Sequence, residues 1–274
     1  MQIKYICPFW GWQGISADDF IDRVIDNGYD GVEIDMPSAV EFEKNFLNTI
    51  ETVRRKKDLI FIAQQWLPPT GESFEEYKQR FSKRLDHLII LQPDFINSHT
   101  GKDFFSFDEN CRLIETAMNI SAKTGIRILH ETHRGRFTFH AYGLLPYLEK
   151  FPELELVADF SHWCTVSESL LEDQEAIIER IIPRTGHIHA RIGYEHSSQV
   201  NDFRAPEWKQ HVNRFVHWWQ KILDQQNKKG KKEMTICPEF GPIPYMPTAP
   251  FIQQPLADQW EENIAMMEML KGVL

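Results

Sequence analysis

The sequence predicts an α/β fold, a (β/α)8 TIM barrel formed by the whole chain as one domain, on three observations. First, apolar runs of strand length alternate eight times with helical patterns over 274 residues, and right-handed crossovers close such an alternation most simply into a barrel. Second, the glycine motifs that would favour an open doubly wound sheet are absent: no GxGxxG follows the first strand and no GxxxxGKS/T occurs anywhere. Third, Glu131, Asp159, His189 and Glu239 each stand at the end of an apolar run, and a barrel brings strand ends to one mouth.

Ile3–Cys7 opens the chain as a strand. Ser16 is placed to cap a helix whose apolar residues Ala17, Phe20, Ile21, Val24 and Ile25 recur at helical spacing, ending near Asn27-Gly28. Gly31–Asp35 is the second strand, 40–57 a polar helix and Leu59–Ala63 the third strand. Ser73-Phe74-Glu75-Glu76 is a capping box, followed by a buried stripe of Phe74, Tyr77, Phe81, Leu85 and Leu88. After the fourth strand, Phe95–His99, a second capping box of Ser106 and Glu109 opens a helix to about Gly125, and the fifth strand ends at Glu131. Residues 140–150 are helical, Leu154–Asp159 is the sixth strand, and one helix at about 172–182 is stopped by Pro183. His187–Ala190 begins the seventh unit, whose helix carries Trp208, Val212, Phe215, Trp219 and Ile222 before a Lys/Gly-rich turn at 228–232. Met234–Cys237 is the eighth strand and Trp260–Leu270 the eighth helix.

Composition narrows the function classes. The 42% hydrophobic and 26% charged content is that of an ordinary globular chain, and no apolar run approaches the ~18 residues of a membrane span. The N-terminus lacks a secretory apolar region, because Pro8, Gly11 and Gln13 interrupt it. Cys7, Cys111, Cys164 and Cys237 lie far apart with no CxxC spacing, which argues against a zinc-thiolate site and a disulfide framework and for reduced thiols in a cytoplasmic protein. A formal charge of −10 repels polyanions, so no nucleic-acid partner is expected. Neither is a membrane; a homo-oligomer is compatible with the sequence.

Three carboxylates and an imidazole at one mouth repel one another unless a cation joins them. A single divalent metal held by Glu131, Asp159, His189 and Glu239 resolves this. Oxygen-rich ligation with one histidine suits Mn²⁺ or Mg²⁺, with Co²⁺ or Zn²⁺ as alternatives. Each acid alone has a plainer role open to it as a helix cap or loop ion pair, and Asp159 before Phe160-Ser161 has the cap option. His162 reads either as a satisfied supporting histidine or as a substrate contact. His187 shares the face of His189 one layer deeper, so it reads as structural or supporting. Trp10, Trp12, Trp66 and Trp163 follow strands and serve either packing or the holding of a sugar face.

At these residues the chain resembles the xylose isomerase-like barrels, among them ketose 3-epimerases, hydroxypyruvate isomerase, inosose dehydratase and apurinic endonucleases. Glu131, the Asp159-x-x-His162 pair, Gly186-His187-Ile188-His189 and Glu239 carry the resemblance, which spans the chain in strand order. It implies that Glu131, Asp159, His189 and Glu239 hold one divalent ion, that the two glutamates also act as acid and base, and that His162 and Arg191 contact substrate. The endonuclease branch is matched at His99-Thr100-Gly101, but Gln64-Gln65-Trp66 stands where that branch has a histidine and no Asp-x-His pair follows strand seven. Its trinuclear zinc site is therefore not carried over. Gly193–Arg204 lacks the glycine-rich run of the epimerases, so neither is their substrate.

The expectation is a metal-dependent isomerase or epimerase of a small sugar or sugar derivative. Glu131 and Glu239 would abstract and return a proton next to a carbonyl through an enediolate, with His162, Arg191, His99, Trp10 and Trp66 as substrate contacts. The alternatives are a metal-dependent phosphodiesterase of the apurinic-endonuclease kind, for which Lys102, Arg134, Arg136 and Arg204 offer a thin basic rim, and a dehydratase of the inosose kind. Singly, those four cations read as solvated groups or contacts to a small anionic substrate. The segment Phe240–Phe251, with prolines at 242, 244, 247 and 250, is expected to be a stiff, extended cover beside Glu239.

Overall fold

The computed structural model describes all 274 residues. Eight strands form a closed barrel in sequence order: β1 (Gln2–Pro8), β2 (Gly31–Ile34), β3 (Ile60–Gln65), β4 (Phe95–Ser98), β5 (Arg127–Glu131), β6 (Leu156–Ala158), β7 (Thr185–Ala190) and β8 (Glu233–Pro238). Every pairing is parallel, and β8 returns onto β1 through Ile3↔Met234 and Tyr5↔Ile236. Outside lie α1 (Ala17–Asp26), α2 (Val40–Arg54), α3 (Phe74–Ile90), α4 (Phe107–Thr124), α5 (Ala141–Lys150), α6 (Ser161–Ser167), α7 (Glu175–Ile181), α8 (Lys209–Lys228) and α9 (Gln259–Val273).

Local sequence chemistry sets many of these boundaries. Ser16 accepts from Asp19 N, and both capping boxes are complete at Ser73/Glu76 and Ser106/Glu109. Gly125 ends α4 at φ 75°, a left-handed conformation that glycine adopts without a Cβ clash. Because side chains alternate along a strand, one residue in two faces the barrel axis. Among these are Ile6, Ile62, Phe95, Leu129, Val157 and Cys237, which form a small apolar cluster of their own. The larger apolar core lies between the barrel and its helices. All four cysteines are buried and unpaired, and no helix is long and apolar enough to cross a membrane.

Two segments differ from the sequence expectation. After β6 there are two α-helices, not one: α6 starts immediately beyond Asp159, and α7 follows a short 3-10 turn and runs into a second 3-10 turn containing Pro183. Seven residues are too few to display a helical period, so α6 leaves no sequence signature. The proline-rich segment is folded into turns, not extended. Tyr245 N donates to Pro242 O at 2.8 Å, and Thr248 bridges Pro255 in antiparallel fashion. Proline fixes φ at a value that β-turns accept as readily as extended chain does.

Helix α9 secures the chain beyond β8. Asn263 clasps Phe240 at both backbone groups, accepting from its N at 2.7 Å and donating to its O at 3.0 Å. Its neighbour Glu262 is fully buried, accepts from Phe203 N at 3.2 Å and has its other oxygen unpartnered. Burial pushes the Glu262 carboxyl up to about 8. The unfolded chain then releases this proton near pH 4.5 while the fold keeps it until about pH 8, so stability falls as pH rises through that window, by roughly 1.4 kcal/mol per pKa unit at most. Glu262→Gln removes the penalty. Melting curves should show its Tm gaining on the parent between pH 5 and pH 8.5; an offset that does not change with pH contradicts the assignment.

Candidate active site

Glu131 closes β5, Asp159 follows β6, His189 lies in β7 and Glu239 follows β8, all at the C-terminal mouth. One potential ligand atom from each lies within 4.8 Å of all the others, and all four residues are buried. The geometry around His189 decides how its ring is used. Nε2 faces Glu33 at 3.0 and 3.1 Å, and a carboxylate only accepts, so Nε2 carries a proton and Nδ1 is the nitrogen left to offer a lone pair once its own proton is displaced. Nδ1 is sealed from solvent, 2.8 Å from Glu239 Oε2 and 3.7 Å from Glu131 Oε2, without the alignment of a hydrogen bond. An imidazole nitrogen without a hydrogen-bond partner among carboxylate oxygens is a donor set for a divalent cation, with Glu33 as the outer carboxylate that orients the histidine.

Glu33 is the hub beneath the mouth. Besides His189 it faces His187 Nε2 at 3.1 Å and accepts from Asn97 Nδ2 at 2.7 Å. The same Asn97 amide donates to Glu131 Oε2 at 2.8 Å, so one side chain spaces the hub from a candidate ligand. His187 in turn meets the Thr235 hydroxyl at 2.6 Å. It supports the layer below the mouth and does not enter it. His99 Nε2 lies 2.8 Å from Glu131 Oε2 and 3.2 Å from Gln64 Nε2.

Four carboxylates, Glu33, Glu131, Asp159 and Glu239, share this interior with one permanent cation, Arg191, which pairs with Asp159 and lies 3.7 Å from Glu239 Oε2. Burial pushes Asp159 up to about 6 against the pull of Arg191, with Glu239 and Glu131 adding to the rise. Burial opposes charge on His189 too, yet Glu239, Glu33 and Glu131 together hold it well above the ordinary histidine range. The excess of negative charge and the imidazole drawn toward protonation are what a divalent ion would relieve. Asp159 also serves as a helix anchor, since its Oδ1 accepts from Ser161 N at 3.0 Å.

A cavity of about 450 Å³ opens above these residues, within the size range of small-molecule sites. Glu131 and Glu239 reach it, as do His99, His133, Arg191 and Asp35, while Trp10, Trp66, Phe9 and Tyr245 form apolar wall. Trp10 packs edge-on against Tyr245 with centroids 4.8 Å apart. A Cβ at Gly241 would stand 2.2 Å from the Trp10 ring, so glycine there lets the indole lie against the backbone just beyond Glu239. The Tyr245 ring thus brings the proline-rich segment to the site, whereas Met246 is buried. Tyr245→Ala is expected to lower kcat/KM severalfold with metal affinity unchanged; equal losses in both would mean that the ring only supports the fold.

Of the residues singled out in the sequence, His99, Arg191, Trp10 and Trp66 line the cavity. His162 does not. It is fully buried behind His133, with ring centroids 3.8 Å apart, and accepts from Arg191 Nη2 at 2.9 Å; burial first, then the charges of His133 and Arg191, hold its pKa well below the usual value. Trp163 is packing, stacked on Phe160 with its Nε1 donating to Thr138 O, and Trp12 packs on Trp260. Sequence reasoning passed over Glu33, Asn97, His133 and Asp35. For Glu33 and Asn97 a signal existed: each is a polar residue inside an apolar strand, on the face that points inward.

No protein-family model and no curated protein sequence matches this chain. Solved structures do. A D-tagatose 3-epimerase-like protein is 14% identical over 98% of this chain and 96% of that one, with a TM-score of 0.68. The probable 3-DHS dehydratase of Bacillus anthracis is 17% identical over 98% of each chain, TM-score 0.62. D-psicose 3-epimerase is 15% identical over 99% of each chain, also at 0.62. The chain has the fold of the xylose isomerase-like barrels. At these identities the likeness is one of fold, and the site must be read from its own residues.

Proposed function

We propose that the protein is a divalent-metal-dependent isomerase or epimerase of a small sugar or sugar derivative. One observation carries the reading: of the four clustered candidate ligands, the two that also reach the cavity are the glutamates, Glu131 from strand five and Glu239 from strand eight. Structural neighbours named as sugar epimerases support it, and the neighbouring dehydratase fits the same opening step, removal of a proton next to a carbonyl.

Glu131, Asp159, His189 and Glu239 would hold the ion, Mn²⁺ first among Mg²⁺, Co²⁺ and Zn²⁺. When bound, it polarises a substrate carbonyl and lowers the cost of an enediolate. One glutamate takes the proton from the adjacent carbon and the other returns it, on the opposite face for epimerisation. Arg191 steadies Asp159 and the Glu239 backbone, to whose carbonyl it donates at 3.4 Å. Trp10, Trp66 and Tyr245 present apolar faces to the sugar and narrow the mouth against a polymer. The four unpaired thiols accord with a cytoplasmic setting.

The test is proton exchange. The Mn²⁺-loaded protein in ²H₂O is expected to place deuterium next to the carbonyl of at least one ketose, aldose or keto-acid sugar, read by NMR. Turnover of such a compound without exchange would contradict the mechanism. A second reading, a phosphodiesterase with two or three ions, is favoured by a second potential ligand group, His99, Glu131 and His133, which shares Glu131 with the first. Counting bound ions separates the two.

A further inference from the structure

The wall of the cavity that faces the clustered ligands has no part in the proton transfer proposed above. Strands β2 and β3 stand across the closed barrel from β6 and β7, and their ends bring Asp35 and Gln64 to the cavity, joined by Gln13 from the loop after β1. Side chains alternate along a strand. Asp35 therefore continues the inward face of Glu33, which reaches His189 across the barrel at 3.0 Å, and Gln64 continues that of Ile62, one of the apolar residues facing the axis. Arg84, on α3, holds Asp35 by one oxygen only: its Nη2 donates to Asp35 Oδ1 at 2.6 Å and to Met36 O at 2.8 Å. Asp35 Oδ2 has no partner in the chain, and the side chain is 37% exposed. The Gln64 amide meets His99 Nε2 at 3.2 Å through one end, and its other end is unbonded. Gln13 Oε1 accepts from Gly11 N at 3.1 Å, which leaves its amino group free.

Charge on this wall has one sign. Of the cavity residues that strands one to three contribute, Asp35 alone is charged, and Arg84 behind it lies outside the lining. The one permanent cation in the lining is Arg191, across the barrel after β7, where Asp159 and Glu239 engage it. Arg134 and Arg136, on the loop after β5, do not line the cavity. Burial raises the Asp35 pKa, and Arg84 and then His99 oppose the rise. A phosphate or carboxylate placed here would meet a carboxylate oxygen with no free cation to answer it, whereas a hydroxyl donates to Asp35 Oδ2 and exchanges hydrogen bonds with the amides. We infer that Asp35 and Gln64 determine specificity by binding hydroxyls at the end of the substrate remote from the reacting carbonyl, and that the substrate is an uncharged polyhydroxy compound, not a sugar phosphate or sugar acid. The inference rests on the isomerase or epimerase reading of the site and narrows its substrate class. A few placed polar groups among aromatic walls are how small-molecule sites fix orientation.

The test uses the full chain loaded with Mn²⁺ and compares compounds that differ only at the remote end: D-fructose with D-fructose 6-phosphate and D-fructuronate, and D-ribulose with D-ribulose 5-phosphate. Calorimetry should show at least one neutral ketose bound at least tenfold more tightly than its charged counterparts. Asp35→Asn keeps the shape and removes the negative charge, so it should shift the ratio of neutral to anionic affinity at least tenfold toward the anion. Asp35→Leu should weaken binding of the neutral ketose by about 10–100-fold, the worth of a hydrogen bond to a charged group, and Gln64→Leu by about 2–10-fold. Mn²⁺ affinity and Tm are measured for each variant, and Gln64→Leu, which breaks no ion pair, carries the test if the Asp35 variants do not fold. A parent that binds a charged counterpart as tightly as the neutral ketose overturns the inference, as does one that binds none of the set. So does a folded Asp35→Asn protein of parental Mn²⁺ affinity with the ratio unchanged. Deuterium exchange into a ketose without the neutral preference would sink this inference and leave the isomerase reading standing; an Asp35-dependent neutral preference without exchange into any of the set would do the reverse.

Discussion

Glu131→Gln and Glu239→Gln should each lower exchange and turnover by about 10²–10⁴-fold, the range that a positioned proton-transfer group contributes. Glutamine keeps the shape and one ligand oxygen but cannot take a proton at neutral pH. The two positions differ in how they are held, and this shapes the expected result. Glu131 is braced by Asn97 Nδ2 at 2.8 Å and His99 Nε2 at 2.8 Å, and although burial opposes its ionisation, His99 and His189 hold it well below the ordinary glutamate range. Glu239 is placed through its neighbours. Gln199 clasps Gly241, accepting from its N at 2.7 Å and donating to its O at 3.2 Å, and Asn263 clasps Phe240 in the same way. Metal content must be measured beside activity, since both residues are candidate ligands. Variants that keep metal and full turnover would contradict the acid–base assignment.

Glu33→Gln should weaken Mn²⁺ binding by about 10–100-fold, the usual effect of removing the carboxylate behind a metal-binding histidine. Glu33 accepts from both His187 and His189 as well as Asn97. Although burial opposes its charge, His189 and His187 hold its pKa well below the ordinary value. Glutamine can offer an oxygen to only part of this set and must aim its amide at the rest, which leaves His189 free to turn or to take the wrong tautomer. Activity lost at limiting Mn²⁺ should return in part at high Mn²⁺, because the variant harms ion binding and not proton transfer. Calorimetric affinity equal to the parent's would remove Glu33 from the account.

Glu33 also shows where sequence reading stops. Its partner His189 lies 156 residues away, and only closure of the barrel brings β2 opposite β7. Features confined to one turn were legible: Ser73 with Glu76, Ser106 with Glu109 and Gly125 behave as their local chemistry dictates. The four strand-end residues were legible as well, because barrel topology alone decides that strand ends converge. His162 was legible as a residue of interest but not as to its place. The spacing Asp159-x-x-His162 puts it beside Asp159, at 3.6 Å between Nε2 and Oδ2, yet cannot say that the His133 ring would stand in front of it. The segment Phe240–Phe251 was foreseen beside Glu239 but its path was not, because prolines exclude helix without choosing between turn and extended chain.

The count of tightly bound ions tests the central claim most directly. Elemental analysis and anomalous diffraction on Mn²⁺-loaded crystals should find one ion per chain, among Glu131, Asp159, His189 and Glu239, and lost in Asp159→Asn and His189→Ala. Two or more ions per chain, or a single ion held elsewhere, would contradict it.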